Sequence, residues 1–192
     1  WSSLAGFFCH AANQYPDHDV LIFDDHRHSY QSLDAASTTI ARGLAASGVK
    51  KGDHVGILMA NCPLYFECLL GITKLGAVAV LVNARYKPAE LSYIIENADL
   101  TLLITHDLIS EYANFGDLID EALTLRETPL LRQCVLHGNA RTGFVDWQDF
   151  LDRGEQVDRH EIEASLQSIE ADDPCIMMYT SGTTADPKGC PM

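Results

Sequence analysis

Three short runs in this chain are apolar with almost no alternation: Val55-Gly56-Ile57-Leu58-Met59-Ala60, Ala77-Val78-Ala79-Val80-Leu81-Val82 and Leu100-Thr101-Leu102-Leu103-Ile104-Thr105. A strand with one wet face alternates apolar and polar residues. A run that does not alternate must be covered on both faces, which is the habit of parallel sheets. Between these runs the apolar spacing changes to three and four. After Pro63 come Leu64, Tyr65, Cys68, Leu69, Ile72 and Leu75; after Pro88 come Leu91, Ile94, Ile95 and Ala98. Proline at the start of each segment suits the first turn of a helix, where its missing N–H has no partner to lose. Strand, helix, strand, helix, strand in that order predicts an α/β fold: a parallel sheet flanked by helices and joined by right-handed crossovers.

The rest of the chain can be read around that centre. Leu4, Phe7, Phe8, Ala11 and Ala12 fall at helical spacing and Pro16 closes the segment. Val20-Leu21-Ile22-Phe23, a turn at Asp24-Asp25-His26 and a return through His28-Ser29-Tyr30 predict a hairpin. Leu33, Ala36, Ile40 and Leu44 mark a helix capped by Ser29 or Ser32 and closed at Gly48. Beyond Thr105 the expectations are a helix over residues 108–125, a strand at Cys134-Val135-Leu136 and a short helix at 147–151, where Trp147 and Phe150 anchor a small satellite core. Residues 153–171 are acidic and irregular and read as a surface connection; residues 174–179 read as a final apolar strand. The expected division is one partial domain over 1–192: an α/β part at about 20–140, a connection at about 141–172, and a strand with its loop at 173–192. A first residue Trp1 and a last residue Met192 just past a glycine-rich loop predict a piece of a longer protein.

Composition narrows the function classes. The formal charge is −14, from 13 Lys and Arg against 27 Asp and Glu. That excess of acid disfavours non-specific binding to nucleic acid or anionic lipid. No apolar stretch reaches the ~20 residues a membrane-spanning helix needs. Six cysteines, with no C-x-x-C pair and no zinc spacing, suit reduced cytoplasmic thiols. His26-x-His28 lacks a third ligand nearby and reads as turn or surface.

One segment carries chemistry: Tyr179-Thr180-Ser181-Gly182-Thr183-Thr184-Ala185-Asp186-Pro187-Lys188-Gly189. Gly182 lets the backbone approach an anion, and successive N–H groups in a turn can converge on phosphate oxygens. Thr180, Ser181, Thr183 and Thr184 add hydroxyl donors, and Lys188 adds a compact positive charge. Pro187 stiffens the run. The segment follows a buried strand, so it belongs at the carboxyl edge of the sheet, where α/β proteins bind ligands. It is not a Walker A loop, because here lysine precedes the second glycine. Cys175 and Cys190 flank it with no evident base and read as inert thiols, while Tyr179 is placed to sit behind it.

These residues resemble the phosphate-loop signature of the superfamily of acyl-CoA synthetases, peptide-synthetase adenylation domains and luciferases. The resemblance extends to Ser29-Tyr30-Gln31-Ser32-Leu33, Gly48 to Val55, Leu75-Gly76-Ala77-Val78 and Asn83-Ala84-Arg85-Tyr86 with Glu90-Leu91, in the family's order and over nearly the whole chain. It implies that the chain is the first part of the large N-terminal domain of an adenylate-forming enzyme. It also implies a two-step reaction: a carboxylate attacks the α-phosphate of ATP, pyrophosphate leaves, and a thiol, usually coenzyme A, takes the acyl group. The phosphate-holding role would fall to Thr180, Ser181, Gly182, Thr183, Thr184 and Lys188, with Lys188 also orienting the leaving phosphates and Mg2+ sharing the work. In the family the adenine-binding segment, the magnesium-binding glutamate, the ribose-binding aspartate and the C-terminal catalytic lysine all lie further along the chain, as does most of the acyl pocket. The isolated 192 residues are therefore expected to be inactive. Asn83 to Tyr86 resembles fatty-acyl and related ligases more than amino-acid adenylating domains and reads as a structural corner. Other readings are a non-catalytic nucleotide-binding fragment and an adenylation domain linked to a carrier protein.

The family usually has glycine where this chain has Ala185. If that position needs φ > 0, alanine costs about 1 kcal/mol or more. Alanine is the smallest replacement, so nucleotide binding should survive. The check is the ATP affinity of Ala185→Gly in the full-length enzyme: a gain of about a hundredfold, near 2.7 kcal/mol, would show that the natural loop is impaired.

Overall fold

The computed structural model describes residues 3–108, 113–180 and 187–192. Helix α1 (Leu4–Gln14) is capped by the Ser3 hydroxyl, which accepts from the Gly6 amide at 3.0 Å. Strands β1 (Asp19–Phe23) and β2 (His26–Ser29) form the expected hairpin as a separate antiparallel pair, with Asp24 at φ 51° in its turn. Helix α2 (Tyr30–Ala46) starts at Ser29, whose hydroxyl accepts from the Ser32 amide at 3.2 Å. Then β3 (His54–Leu58), α3 (Pro63–Lys74), β4 (Val78–Leu81), α4 (Pro88–Asn97) and β5 (Leu100–His106) follow the predicted rhythm, each helix opening on its proline. The remaining elements are α5 (Phe115–Leu125), β6 (Gln133–His137), β7 (Phe144–Asp146), α6 (Trp147–Gly154), α7 (Arg159–Gln167), β8 (Ile176–Thr180) and β9 (Lys188–Pro191).

The seven-stranded sheet has the order β7-β6-β5-β3-β4-β8-β9. Every neighbour pair is parallel except β8 with β9. Pro191, which has no N–H for a ladder, stands on the edge strand where that lack costs little. The chain runs from β3 to β4 on one side and then returns to place β5 on the other, so the strand order reverses at β3. Alternate strand residues feed two cores. Val55, Ile57, Leu102, Ile104 and Val135 meet α2, α3, α6 and α7 through Ile40, Leu44, Ile72, Phe150 and Ile162. Leu58, Val80, Leu100 and Leu103 meet α4 and α5 through Leu91, Ile94, Phe115 and Ile119. Gly56 leaves room in the central strand, since a Cβ there would stand 2.6 Å from Leu103 Cδ1.

Several expectations need correction. Of the helix expected over 108–125, residues 109–112 lie outside the described part and the helix itself begins at Phe115. Its cap is Asn114, whose side-chain oxygen accepts from the Asp117 amide at 3.0 Å. Residues 153–171 are not wholly irregular, because α7 lies within them. Asp158 accepts from the His160 amide at 2.9 Å, and Glu161 accepts from the Asp158 amide at 3.3 Å, closing the first turn from both sides. Trp147 and Phe150 do not form a satellite core. Phe150 is fully buried in the α2/α3 core, with Trp147 against it. Its ring can lie there because Gly43 has no side chain; a Cβ at Gly43 would stand 2.7 Å from Phe150 Cζ.

The apolar window interrupted by Lys74 conceals a buried charge. Lys74 is 2% exposed at the end of α3. Its Nζ donates to Asp34 Oδ1, Ser37 Oγ and Thr38 Oγ1 at 2.8 Å and lies 2.9 Å from the Asp34 carbonyl, all on α2. Lys74→Ala should therefore cost about 3 kcal/mol, because it empties a buried volume and strands polar groups made to meet a cation. Lys74→Met, which refills the volume but strands the same polar groups, should cost less than Lys74→Ala. Urea unfolding midpoints decide it, and a loss below about 0.5 kcal/mol for Lys74→Ala would show the pair to be dispensable.

Candidate functional site

The parallel strands all end at one edge of the sheet, and a cleft of about 450 Å3 opens there between the ends of β3, β4 and β8. Asn61 and Tyr65 after β3, Asn83 to Tyr86 after β4, and Met178 and Tyr179 of β8 line it. The Asn83–Tyr86 corner is a tight turn: the Arg85 amide donates to Asn83 Oδ1 at 3.0 Å, and the Tyr86 amide to the Asn83 carbonyl at 3.1 Å. It is thus both the structural corner expected and a wall of the cleft. The exposed Arg85 stands on it with no ion pair among the described residues.

Two of the expected phosphate residues are described, and the structure brings them together. Thr180 ends β8, and Lys188 begins β9 as its direct partner across the antiparallel ladder. Lys188 is exposed and makes no ion pair among the described residues. Leu81 of β4 pairs with Met178, so Thr180 stands two residues further toward the carboxyl edge, beside the cleft. Ser181, Gly182, Thr183 and Thr184, and Ala185 with them, lie outside the described residues.

Helix α4 touches both stems of this hairpin, which sequence reasoning did not anticipate. The Tyr93 hydroxyl donates to the Pro187 carbonyl at 3.0 Å. The Tyr179 hydroxyl donates to Asn97 Oδ1 at 2.8 Å. Burial first, then the nearby Tyr93, Asp99 and Tyr86, push the Tyr179 hydroxyl up to about 12, so it keeps its proton at neutral pH. The Arg126 guanidinium lies 5.5 Å from the Tyr93 ring centre and pairs with Glu96 at 2.6 Å. The partners in these hydroxyl bonds are 94 and 82 residues apart in sequence, so no local pattern could reveal them.

At the same edge, beyond β3, His106 and His137 are register partners at the ends of β5 and β6. His106 is buried with its ring edge against Phe115, and its Nδ1 accepts from the Leu108 amide at 3.2 Å. The nearby Ala60 backbone offsets part of the effect of burial, but Nε2 makes no hydrogen bond of good geometry among the described residues. Burial holds both imidazoles below the ordinary histidine range. All six cysteines are free thiols, and burial raises Cys9 to about 11 and Cys134 to about 12, so neither supplies a thiolate at neutral pH. Cys190 Sγ is a weak donor to the Lys188 carbonyl at 3.8 Å, with no base beside it among the described residues. His26 and His28 stand on β2, away from the cleft.

Comparison with known proteins gives the same picture. The family model described as AMP-binding enzyme matches residues 8–192. YngI of Bacillus subtilis (strain 168), named provisionally as an acyl-CoA synthetase, is 31% identical over 202 residues, covering 98% of this chain and 37% of its own length. The crotonobetaine/carnitine–CoA ligase of Proteus mirabilis is 30% identical over 184 residues, covering 93% of this chain and 34% of its own. Among solved structures, the inhibitor-bound N-terminal domain of FACL13 from Mycobacterium tuberculosis superposes with a TM-score of 0.75 at 25% identity, covering 100% of this chain and 44% of that one. The chain spans about a third of the length of the curated relatives it matches.

The lowered histidines give a pH dependence whose sign is fixed. Below the unfolded value of about 6.5 the unfolded chain takes up protons that the folded one refuses, so stability falls as the pH drops. The thermal midpoint should decline from pH 7 to pH 5, and His106→Gln should flatten part of that decline. An unchanged slope in the variant would free His106 of this role.

Proposed function

Because this chain belongs to the family of AMP-binding enzymes, we propose that it supplies the phosphate-holding part of an ATP-dependent acid–thiol ligase. In the reaction a carboxylate oxygen bonds to the α-phosphorus of ATP. The bond to the β-phosphate oxygen breaks, and pyrophosphate leaves with the electron pair. The sulfur of coenzyme A then takes the acyl carbon from the adenylate, releasing AMP.

The observation that carries this reading is the Thr180–Lys188 pair beside the cleft. A hydroxyl donor and an ammonium with no ion pair among the described residues stand opposite each other, at the strand edge where α/β sheets bind their ligands. Charge builds on the leaving phosphates, and donors already aimed there lower the barrier without rearranging. The residues named from the sequence, Thr180, Ser181, Gly182, Thr183, Thr184 and Lys188, are proposed as the phosphate contacts, with Lys188 orienting the leaving group. Among the described residues no three carboxylate, imidazole or thiol side chains converge on a metal. Mg2+ is proposed to accompany the nucleotide, where it would neutralise phosphate charge.

The acid is proposed to be a fatty or related acyl substrate, on the likeness of the Asn83–Tyr86 corner and on the names of the relatives, among them the crotonobetaine/carnitine–CoA ligase. Among the described residues no helix is long and apolar enough to cross a membrane. With six free thiols, the cytoplasm is the proposed compartment. The residues 1–192 are proposed as part of one AMP-binding domain.

The test is pyrophosphate release by the natural full-length protein across a panel of carboxylates, with and without coenzyme A. Acyl-CoA formation is expected, and release that ignores every carboxylate would sink the proposal. Lys188→Ala should slow ATP–pyrophosphate exchange by about ten- to a hundredfold and leave the thermal midpoint nearly unchanged, since the side chain is exposed. Lys188→Arg should recover part of the loss. Exchange at the natural rate in Lys188→Ala would remove Lys188 from the site.

A further inference from the structure

The end pair of a two-stranded ladder is its weakest point. Thr180 and Lys188 are that pair, and β9 has β8 as its one neighbour among the described residues. Such ends fray unless something outside the ladder holds them. Here something does. Pro187, whose carbonyl accepts from the Tyr93 hydroxyl, immediately precedes Lys188. Tyr179, whose hydroxyl donates to Asn97, immediately precedes Thr180. Tyr93 and Asn97 are four residues apart on α4 and so share one face of the helix. The opposite side of α4 is fixed in the core by Leu91 and Ile94 at 0% exposure and Ile95 at 1%. Arg126 against the Tyr93 ring restrains the side chain itself.

We propose that Tyr93 and Asn97 are positioning residues for the Thr180–Lys188 pair, holding both stems of the hairpin at the place where the pair meets the nucleotide's phosphates. The inference rests on the phosphate reading given above. Neither residue touches the reacting atoms; each acts through the backbone neighbour of a phosphate contact. Placement to within an ångström is what such contacts need, so loosening one stem weakens phosphate binding without unfolding the sheet.

The test uses the natural full-length protein and the variants Tyr93→Phe and Asn97→Ala. Tyr93→Phe keeps the ring and its Arg126 contact and removes only the hydroxyl. In ATP–pyrophosphate exchange the KM for MgATP should rise about three- to tenfold, the effect of one hydrogen bond. The KM for the carboxylate should stay within a factor of about two, and the thermal midpoint should shift by no more than about 2 °C. Amide hydrogen exchange at residues 188–190 should quicken in the same variant. An unchanged KM for MgATP overturns the proposal. So does a fall in thermal midpoint that moves every kinetic constant together, because that is the mark of a merely structural bond. If the natural protein turns over no MgATP, the phosphate reading fails by itself. The tether is then judged by hydrogen exchange alone: quickened exchange sustains it and unchanged exchange overturns it.

Discussion

A buried ammonium group holds one layer of this molecule in place. Lys74 lies within 2.9 Å of four oxygens, all on α2, so its three N–H bonds are fully taken up. A charge so placed is tolerable only with that degree of satisfaction, which makes the seating of α3 on α2 nearly all-or-none. The same α2 meets α6 where Gly43 and Gly154 bring two backbones together, and a Cβ on Gly154 would stand 2.6 Å from the Gly43 nitrogen. It also carries Arg42, which donates to the carbonyls of Glu155 and Val157 ahead of α7, both at 2.9 Å. Every helix on that side of the sheet therefore takes its position from α2. Since α3 connects β3 to β4, the two strand ends that flank the cleft take theirs from it too.

The other layer serves the site more directly. Helix α4 covers the sheet with Leu91, Ile94 and Ile95 and presents Tyr93 and Asn97 to the hairpin. Its N-terminus follows the Asn83–Tyr86 corner, and the Lys87 amide is closed by Glu90 Oε2 at 2.8 Å. One element thus joins the wall of the cleft, the core and both stems of the segment proposed to hold phosphate. The proposed chemistry needs groups that are already in place before charge develops, and a helix anchored in a core is a stiffer mount than an exposed hairpin alone.

The sequence made the centre of the fold plain because β3, β4 and β5 are buried on both faces and cannot hide their composition. What escaped was short, or was made of backbone or of polar residues. Strand β7 has only Phe144, Val145 and Asp146. Strand β9 contains Gly189 and Pro191 and exists through its ladder with β8. Helix α7 buries little besides Ile162, so its apolar signal was faint, yet Asp158 and Glu161 at capping-box spacing were there to be read. Lys74 looked like an interruption because its partners, Asp34 to Thr38, lie some forty residues earlier. Thr180 and Lys188 of the proposed site could be named from residue types and spacing that suit phosphate. Tyr93 and Asn97 could not be singled out, because only pairing across 94 and 82 residues brings them to the hairpin.

In the proposed site Lys188, which makes no ion pair among the described residues, has a kinetic meaning in a chain of net charge −14. At long range these 192 residues repel a polyanion. Within a Debye length, about 8 Å at physiological ionic strength, the local ammonium and the ends of the hairpin reverse that sign. Added salt would then act in opposite directions on the two stages of capture, easing the approach while loosening the grip. A magnesium-complexed nucleotide, carrying less charge, would cross the outer field more readily than the bare one. In that proposed site the acidic surface would act as a filter on what reaches the lysine, and the lysine would select what stays.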